Sequence, residues 1–334
     1  MRVTIRDVAK RAGVANNTVS RVLNNRPDVN AETRVRVRQV IDELDYRPNG
    51  LARSLLRRRS QTVGLVVTDC ANPNTARQIS AVQQAMIAGG YAVMIFDTQE
   101  DRARQQKALE ILDEKAVDGA IVSPAAARDD GLVKLAARLP LILLNREVEG
   151  LATCDIVLND NAEGARLAVD HLIAAGHTHI AHLTAMRDAS TVRDRLHGYR
   201  AALVHARIPF DERLVERSAI TVEDAAAATF RLLERQPSPT AIFAYNDFMA
   251  VGVLSALLAS HRRVPIDVAL VGYDGIVYAP YLQVPLTTVV QQTEAMGAAA
   301  AQLLLARLAG AAGPPQRIVI QPHLVIRASS GGPT

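Results

Sequence analysis

The chain has 334 residues, 49% hydrophobic and 22% charged, so it is long enough for two or three globular domains and is neither disordered nor collagen-like. Its two cysteines, Cys70 and Cys154, are too few for a disulfide framework or a tetrahedral thiolate zinc site. No apolar run reaches the roughly 18 residues that span a bilayer. The charged start MRVTIRDVAK is unlike a secretion signal, so we expect a cytoplasmic protein with no membrane association.

The charge is distributed unevenly along the chain. Residues 1–60 carry a net charge of +8 within a chain whose total is +4, so the remaining residues sum to −4. A small basic head on a mildly acidic body indicates a module that binds a polyanion, joined to a second function.

The head predicts three short helices. The first begins after Thr4, which can cap it together with Asp7, and ends at Gly13. A second helix runs from about Asn16 to Asn24, and Asn30 caps a third. Two helices joined by a tight glycine turn and braced by a third form a helix-turn-helix, although a plain three-helix cap with polar outer residues is the alternative.

The second helix of such a motif enters the major groove and presents its N-terminal residues to the bases. Asn16, Asn17 and Arg21 are the candidates for base contacts, since asparagine pairs bidentately with adenine and arginine with guanine. The other DNA-binding candidates lie along the two helices, where hydroxyl groups suit phosphate contacts. They are Thr4, Thr18, Ser20 and Asn24.

Two segments, TIRDVAKRAGVANNTVSRVLNN and ELDYRPNGLARSLLRRRS, closely resemble the DNA-binding head and hinge of the lac-repressor (LacI/GalR) family of bacterial regulators. The match combines DVAxxAGV, TVSRVLN, the YxPN turn and ARSL at the family's spacing. One departure is Ala15, where the family usually has a serine that caps the recognition helix. Asn16 could take over that cap, or the helix could start late.

The resemblance implies a helix-turn-helix head over residues 1–47 and a hinge over 48–60. Asn49 to Leu56 would form a hinge helix that orders on operator DNA. Leu55 matches the family's wedge leucine, which inserts between base pairs in the minor groove, and Ala52 and Arg53 lie beside it. For Arg57 to Arg59, composition alone indicates an Arg-rich linker that supplies charge.

From residue 62 onwards, short apolar runs alternate with amphipathic segments. The predicted strands cover 63–67, 91–96, 119–123, 140–145, 179–184, 241–245, 268–273 and 323–327. The predicted helices cover 75–89, 101–114, 161–175, 191–206, 223–235 and 246–260. This pattern is typical of buried parallel sheets. It predicts two doubly wound α/β lobes that bind ligands at the carboxyl ends of their strands.

The body lacks the usual signatures of an α/β enzyme. No GxGxxG, GxxxxGK[ST] or GxSxG motif occurs there. His177 and His179 fit packing or capping better than metal ligation, and neither cysteine has the sequence context of a nucleophile. We expect no catalysis, cofactor or metal. An α/β enzyme and a ligand-binding protein with little DNA-binding activity remain the alternatives.

The family resemblance continues through DNAEGARLAVDHLIAAGHTHIAHLT, DRLHGYRAAL, AYNDFMAVGVL, VALVGYDG and PLTTVVQQ. It implies an effector-binding core over 61–334 made of two lobes of periplasmic-binding-protein type. The second lobe starts near 161 and the chain recrosses near 291. The positions then expected to bind effector in the cleft between the lobes are Asn74, Asn145, Arg146, Asp160, Ser190, Thr191, Arg195, Asn246, Asp274 and Gln291.

Three of these positions carry specific roles in the resemblance. Arg195 matches the arginine that grips ligand hydroxyls or a carboxylate, and Asn246 and Asp274 match residues that exchange hydrogen bonds with a sugar. Each has a structural alternative. Asp274 could cap the next turn, Asn246 could cap the helix that follows it, and Arg195 could pair at the surface with Asp194 or Glu163.

The segment after the first strand narrows the class of effector. Many relatives have Asn-Pro followed by two aromatic residues that wall the pocket, whereas residues 72–75 here read NPNT. The pocket is therefore less suited to stacking a purine than to binding a small hydroxylated ligand. We expect a sugar, a sugar acid or a sugar phosphate.

DNA recognition by one small helix implies a homodimer, because a pseudo-palindromic operator and paired hinges need two copies. The chain ends soon after its last predicted strand, so we expect no C-terminal heptad segment of the kind by which some relatives form tetramers. Together these features predict a ligand-controlled transcription regulator, most simply a repressor.

Overall fold

A computed structural model describes residues 3–46, 59–236 and 238–332. The chain divides into two compact units, Met1–Ser60 and Gln61–Thr334. The predicted hinge helix, with Ala52, Arg53 and Leu55, lies outside the described residues, as do Arg57 and Arg58. Within the described ranges, no helix is both long and apolar enough to cross a membrane.

In the described part of the first unit all regular elements are helices, whereas strands and helices alternate through most of the second unit. The described helices are α1 (Ile5–Ala12), α2 (Asn16–Leu23), α3 (Ala31–Glu43), α4 (Pro73–Ala88), α5 (Arg102–Glu114), α6 (Asp130–Ala136), α7 (Asn161–Ala174), α8 (Ser190–His205), α9 (Val222–Leu233), α10 (Asp247–Ala259) and α11 (Thr293–Leu308). The described strands are β1 (Thr62–Val67), β2 (Ala92–Asp97), β3 (Gly119–Val122), β4 (Leu141–Leu144), β5 (Asp155–Asn159), β6 (Ile180–Ala185), β7 (Val215–Ser218), β8 (Ala241–Ala244), β9 (Ala269–Asp274), β10 (Thr287–Val290), β11 (Arg317–Ile320) and β12 (His323–Val325).

The head is a three-helix unit around a small aliphatic core. Val8, Val19 and Val37, one from each helix, are fully buried. The predicted capping box at α1 is confirmed, since the Thr4 amide donates to Asp7 Oδ2 over 2.8 Å. At α2 the N-cap is Ala15, with no side-chain hydrogen bond, so Asn16 does not take over that cap.

The second unit contains two six-stranded sheets. The first has the order β11-β5-β4-β3-β1-β2 with every strand parallel, and the second has the order β12-β10-β9-β8-β6-β7 with only β12 antiparallel. Helices cover both faces of each sheet. In β1, Leu65 packs into one aliphatic layer and Val66 into the opposite one, as a strand buried on both sides requires. The predicted pair of doubly wound lobes is confirmed.

The chain passes between the lobes three times. It leaves the first sheet after β5, returns to it with α11 and β11 after β10, and ends its last strand, β12, in the second sheet. The crossings after β5 and β10 lie beside residues 161 and 291, where crossings were expected from the sequence. The third crossing, between β11 and β12, was not expected. The strand predicted over 323–327 is shorter, at His323–Val325.

Candidate functional site

The carboxyl ends of the two sheets meet in a cleft between the lobes, where several contacts cross from one lobe to the other. The Glu147 amide donates to Ser190 Oγ over 3.1 Å. Asn72 Nδ2 lies 3.5 Å from Asp274 Oδ2. Polar side chains at strand ends therefore converge here from both lobes, the arrangement by which open α/β sheets bind small polar ligands.

Arg195, on α8, is only 2% exposed and points into this cleft. Its Nε donates to Asn161 Oδ1 over 3.0 Å and its Nη1 donates to the carbonyl of Tyr245. The guanidinium lies over the rings of Tyr273 and Tyr245, at 3.6 and 4.5 Å from their centroids. The surface pairing of Arg195 with Asp194 or Glu163 is therefore wrong.

Asp274 lies opposite Arg195, with its Oδ1 3.9 Å from Arg195 Nη2. Gln291 Nε2 donates to the same oxygen over 2.6 Å. Burial raises the pKa of Asp274, and the charge of Arg195 opposes that rise. The turn after β9 is instead held by Asp247, whose Oδ2 accepts from the amides of residues 275 and 276 at 2.9 Å each. Asp274 thus has no capping role there.

Two further candidates are helix caps. Asn246 Oδ1 accepts from the Met249 amide over 2.9 Å at the start of α10, so its amide NH2 is the group left for a ligand. Asp160 Oδ1 accepts from the Glu163 amide over 3.0 Å at the start of α7. Both capping residues follow the carboxyl end of a strand, Asn246 after β8 and Asp160 after β5.

A small polar cavity of about 30 Å³ lies on the side of the first lobe. Asn145, in the left-handed region with φ +64°, has a buried Oδ1 without a hydrogen-bond partner among the described residues. A space of this size suits one hydroxyl group or one water. Alongside the expected Asn74 and Asn145, the lining includes polar residues that were not among the sequence candidates: Thr68, Thr75, Gln78, Ser123 and Thr293.

A cluster of charged groups bridges the lobes at the edge of the cleft. Arg146 donates from Nη2 to Glu100 Oε1 over 2.7 Å and from Nη1 to Glu100 Oε2 over 2.5 Å. Arg187, from the loop after β6, forms an ion pair with the same carboxylate. Nearby, Thr191 Oγ1 and the Tyr245 hydroxyl are 2.9 Å apart. Glu100 and Arg187 were not predicted from the sequence.

The base-contact candidates are exposed together on α2. Asn16 and Asn17 form its first turn, and Arg21 follows one turn later, paired with Asp28 at 3.1 Å. Both members of that pair are about half exposed, and such a pair contributes only about 0–1 kcal/mol, so DNA can displace it.

Two of the other DNA-binding candidates, Thr4 and Asn24, form local side-chain hydrogen bonds. The Thr4 hydroxyl donates to Asp7 over 2.7 Å, and Asn24 Nδ2 donates to the Ser20 carbonyl over 2.7 Å. Thr18 and Ser20 are half-buried on α2.

In the part of the chain that the structure describes, no group of three or more His, Cys, Asp or Glu side chains is arranged to hold a metal ion. His177 Nδ1 lies 3.1 Å from Thr240 Oγ1, consistent with a packing role. Burial raises the pKa of both Cys70 and Cys154, which keeps the two thiols protonated at neutral pH.

Residues 4–49 match the family described as bacterial regulatory proteins, lacI family, and residues 169–330 match the periplasmic binding protein-like domain. The chain is 35% identical over 328 residues to the HTH-type transcriptional repressor PurR of Mannheimia succiniciproducens, covering 98% of each chain. It is 37% identical over 339 residues to the HTH-type transcriptional regulator CelR of Thermobifida fusca, again covering 98% of each.

Two solved structures are similar over nearly the whole chain. A complex of the transcriptional regulator CelR with cellobiose has 36% sequence identity and a TM-score of 0.76, covering 98% of this chain and 100% of that one. The lac repressor dimer bound to operator and the anti-inducer ONPF has 28% identity and a TM-score of 0.88, covering 99% of each.

Proposed function

This chain belongs to the lacI family of bacterial regulatory proteins, and from that membership we propose that a small hydroxylated effector binds its cleft and sets the affinity of its head for operator DNA. The protein is a DNA-binding transcriptional regulator controlled by a small ligand, and it acts as a homodimer. Its relatives are regulators and not enzymes, and we propose that this chain likewise catalyses no reaction and acts in the cytoplasm.

The observation that carries the proposal is the buried pair of Arg195 on α8 and Asp274 at the end of β9, 3.9 Å apart, with buried Asn246 just after the neighbouring strand β8. Arginine only donates hydrogen bonds, an ionised aspartate only accepts, and the free amide group of Asn246 donates. A sugar hydroxyl both donates and accepts, so it can satisfy all three. A buried site of this kind rejects ligands that leave its groups unpaired.

The class of effector follows from the small cavity on the side of the first lobe, since the two rings against Arg195, those of Tyr245 and Tyr273, are already covered by its guanidinium. The polar cavity beside Asn74 and Asn145 presents amides and hydroxyls and no aromatic side chain. The cleft therefore fits a polyhydroxylated ligand better than a purine.

A thermal-shift screen of the full-length protein against sugars, sugar acids and sugar phosphates tests this function. A cleft ligand at 100 times its Kd adds about 2.7 kcal/mol to the free energy of unfolding. We expect stabilisation by members of this class and none by purine bases. Stabilisation by purines alone contradicts the proposed effector class, whereas weak operator binding without steep salt dependence favours a ligand-binding protein with a vestigial head.

For DNA recognition, we predict that Arg21→Ala weakens operator binding by roughly 1–3 kcal/mol and relaxes the base preference at one position. The matched control is Arg36→Ala, which removes the same charge from an exposed position on α3 and should weaken operator and random DNA alike. Fluorescence anisotropy with both DNAs at fixed salt measures the difference. An equal loss on both DNAs in Arg21→Ala means that Arg21 does not read a base.

For dimerisation, we propose that the segment containing Val277, Tyr278 and Tyr281 forms part of the subunit interface. These three apolar side chains are exposed within five residues, with Tyr281 at 82%. Tyr281→Asp should shift sedimentation from dimer to monomer and weaken operator binding more than about tenfold, because each half-site then binds alone. Val204→Asp, at an exposed position on α8, is the control that should stay dimeric. A dimeric Tyr281→Asp places the interface elsewhere.

A further inference from the structure

The cluster of Glu100, Arg146 and Arg187 holds more positive than negative charge in a poorly hydrated place. The Arg146 side chain is 8% exposed, that of Glu100 13% and that of Arg187 23%. One carboxylate faces two guanidinium groups, which leaves a local net charge of +1. An uncompensated charge at such a site is costly unless an anion completes it.

Unused hydrogen-bond donors lie in the same cluster. Both Nη atoms of Arg146 are taken by Glu100 and by the carbonyl of Pro124. The Nε atoms of Arg146 and Arg187 are buried and have no hydrogen-bond partner among the described residues. A buried donor without a partner is unfavourable, so these atoms are available to an acceptor that enters the cleft.

The charged groups at the other end of the cleft determine where an anionic group of the ligand would bind. At the other end, Arg195 faces Asp274, with Asp247 behind it. Burial and the charge of Asp274 raise the pKa of Asp247 to about 7, so Asp247 is only partly charged at neutral pH. The Arg195 end is thus slightly negative and the Glu100 end positive, and the charge of Arg146 also reaches Asp274 and, against the larger effect of burial, helps to lower its pKa.

We infer that the effector carries an anionic group, a phosphate monoester or a carboxylate, that binds Arg187 and Arg146 at the edge of the cleft. Guanidinium groups form strong charge-assisted hydrogen bonds to such oxyanions, here from the Nε atoms of Arg187 and Arg146. The hydroxyl groups of the same ligand then bind Arg195, Asp274 and the polar cavity of the first lobe. Glu100 acts as the resident counter-ion that orients Arg146. This inference rests on the proposed function and narrows the effector class to sugar acids and sugar phosphates.

The test is isothermal titration of the full-length protein with matched probes: ribose and ribose 5-phosphate, glucose, glucose 6-phosphate and gluconate. We expect an anionic member to bind at least ten times more tightly than its neutral partner, and the phosphate and carboxylate arms identify which anion is preferred. Arg187→Met should reduce that ratio at least tenfold, and Glu100→Gln should increase it by removing the competing carboxylate. Arg193→Met, an exposed arginine paired with Asp188, is the matched control and should leave the ratio unchanged.

Two results overturn the inference. One is equal binding of neutral and anionic partners by the wild type, and the other is an anion preference that survives Arg187→Met. In either case, titration of a neutral sugar into the cleft still supports the proposed function. Failure of every probe to bind contradicts the proposed function and the inference together.

Discussion

Arg195→Met should abolish the response to the effector while leaving operator binding by the free protein unchanged. The Arg195 guanidinium is held by Asn161 and Tyr245 and faces the Asp274 carboxylate, so its loss removes a ligand donor and leaves Asp274 without its counter-charge. Truncating one member of a buried charge pair costs about 2–5 kcal/mol of binding, or roughly thirtyfold and more. The head has its own core within Met1–Ser60 and is expected to keep its affinity for DNA.

Titration with the screened ligand and anisotropy with operator DNA measure the two halves of this prediction. Asp274→Ala should behave like Arg195→Met, because it removes the acceptor that faces the same ligand. Arg200→Met is the matched control on the same helix, since Arg200 is half exposed and packs on Phe210. Undiminished ligand affinity in both cleft variants means that the effector does not bind there.

Asp247→Asn should change how the stability of the effector-binding core depends on pH. Burial and the charge of Asp274 raise the pKa of Asp247 to about 7 in the folded protein. The pKa of an unfolded aspartate is about 3.9. Between these values the folded protein keeps a proton that the unfolded chain has released. The stability due to this proton is fully present below about pH 4 and is lost as the pH rises through about 7.

The free energy of unfolding of the wild type minus that of Asp247→Asn should therefore fall by about 2.5 kcal/mol from pH 5 to pH 8. Urea denaturation at several pH values measures this difference. His182 contributes to the pH dependence with the opposite sign. Burial lowers its pKa to about 4, so its contribution to stability is present above about pH 6.5 and lost as the pH falls. Subtracting the variant from the wild type cancels this contribution, because both proteins contain His182. A difference that stays constant with pH shows that Asp247 is charged throughout.

The asparagine side chain can occupy the same place. Its oxygen can accept from the amides of residues 275 and 276, and its NH2 can donate to Thr288 Oγ1, which now donates to Asp247 Oδ1 over 2.6 Å. The variant thus tests the charge of Asp247 and keeps the turn after β9.

Most strands buried on both faces were predictable from sequence, because near-continuous apolar runs such as VGLVV have few other stable environments. Two buried strands, β5 (DIVLN) and β10 (TTVV), were nevertheless missed. The shorter and more polar strands were missed. β7 reads VERS and β11 reads RIVI, and each lies at or near a sheet edge where alternating charged residues are tolerated. α11 was missed because AMGAAAAQLLLARL is apolar around most of its circumference and shows no clear stripe.

The candidate site was only partly predictable for a related reason. Arg195, Asn246 and Asp274 stand in motifs that resemble a known family, so their positions could be proposed from the sequence. Glu100 and Arg187 are 87 positions apart, and both follow strands in loops. Glu100 also has a left-handed backbone, with φ +61°. No local pattern joins two such residues, and only the closure of one lobe on the other brings them together.

Occupancy of the cleft should change the affinity of the head for operator DNA, and every other part of the proposed function depends on this coupling. The most direct measurement is the operator Kd of the full-length protein at fixed salt, with and without a saturating cleft ligand, for the wild type and for Arg195→Met. By thermodynamic linkage the ligand must change the operator Kd by the same factor by which operator changes the ligand Kd. We predict a change of at least about tenfold in the wild type, corresponding to about 1.4 kcal/mol of coupling, and none in the variant. An operator Kd that stays the same while titration shows the cleft filled contradicts ligand control of DNA binding.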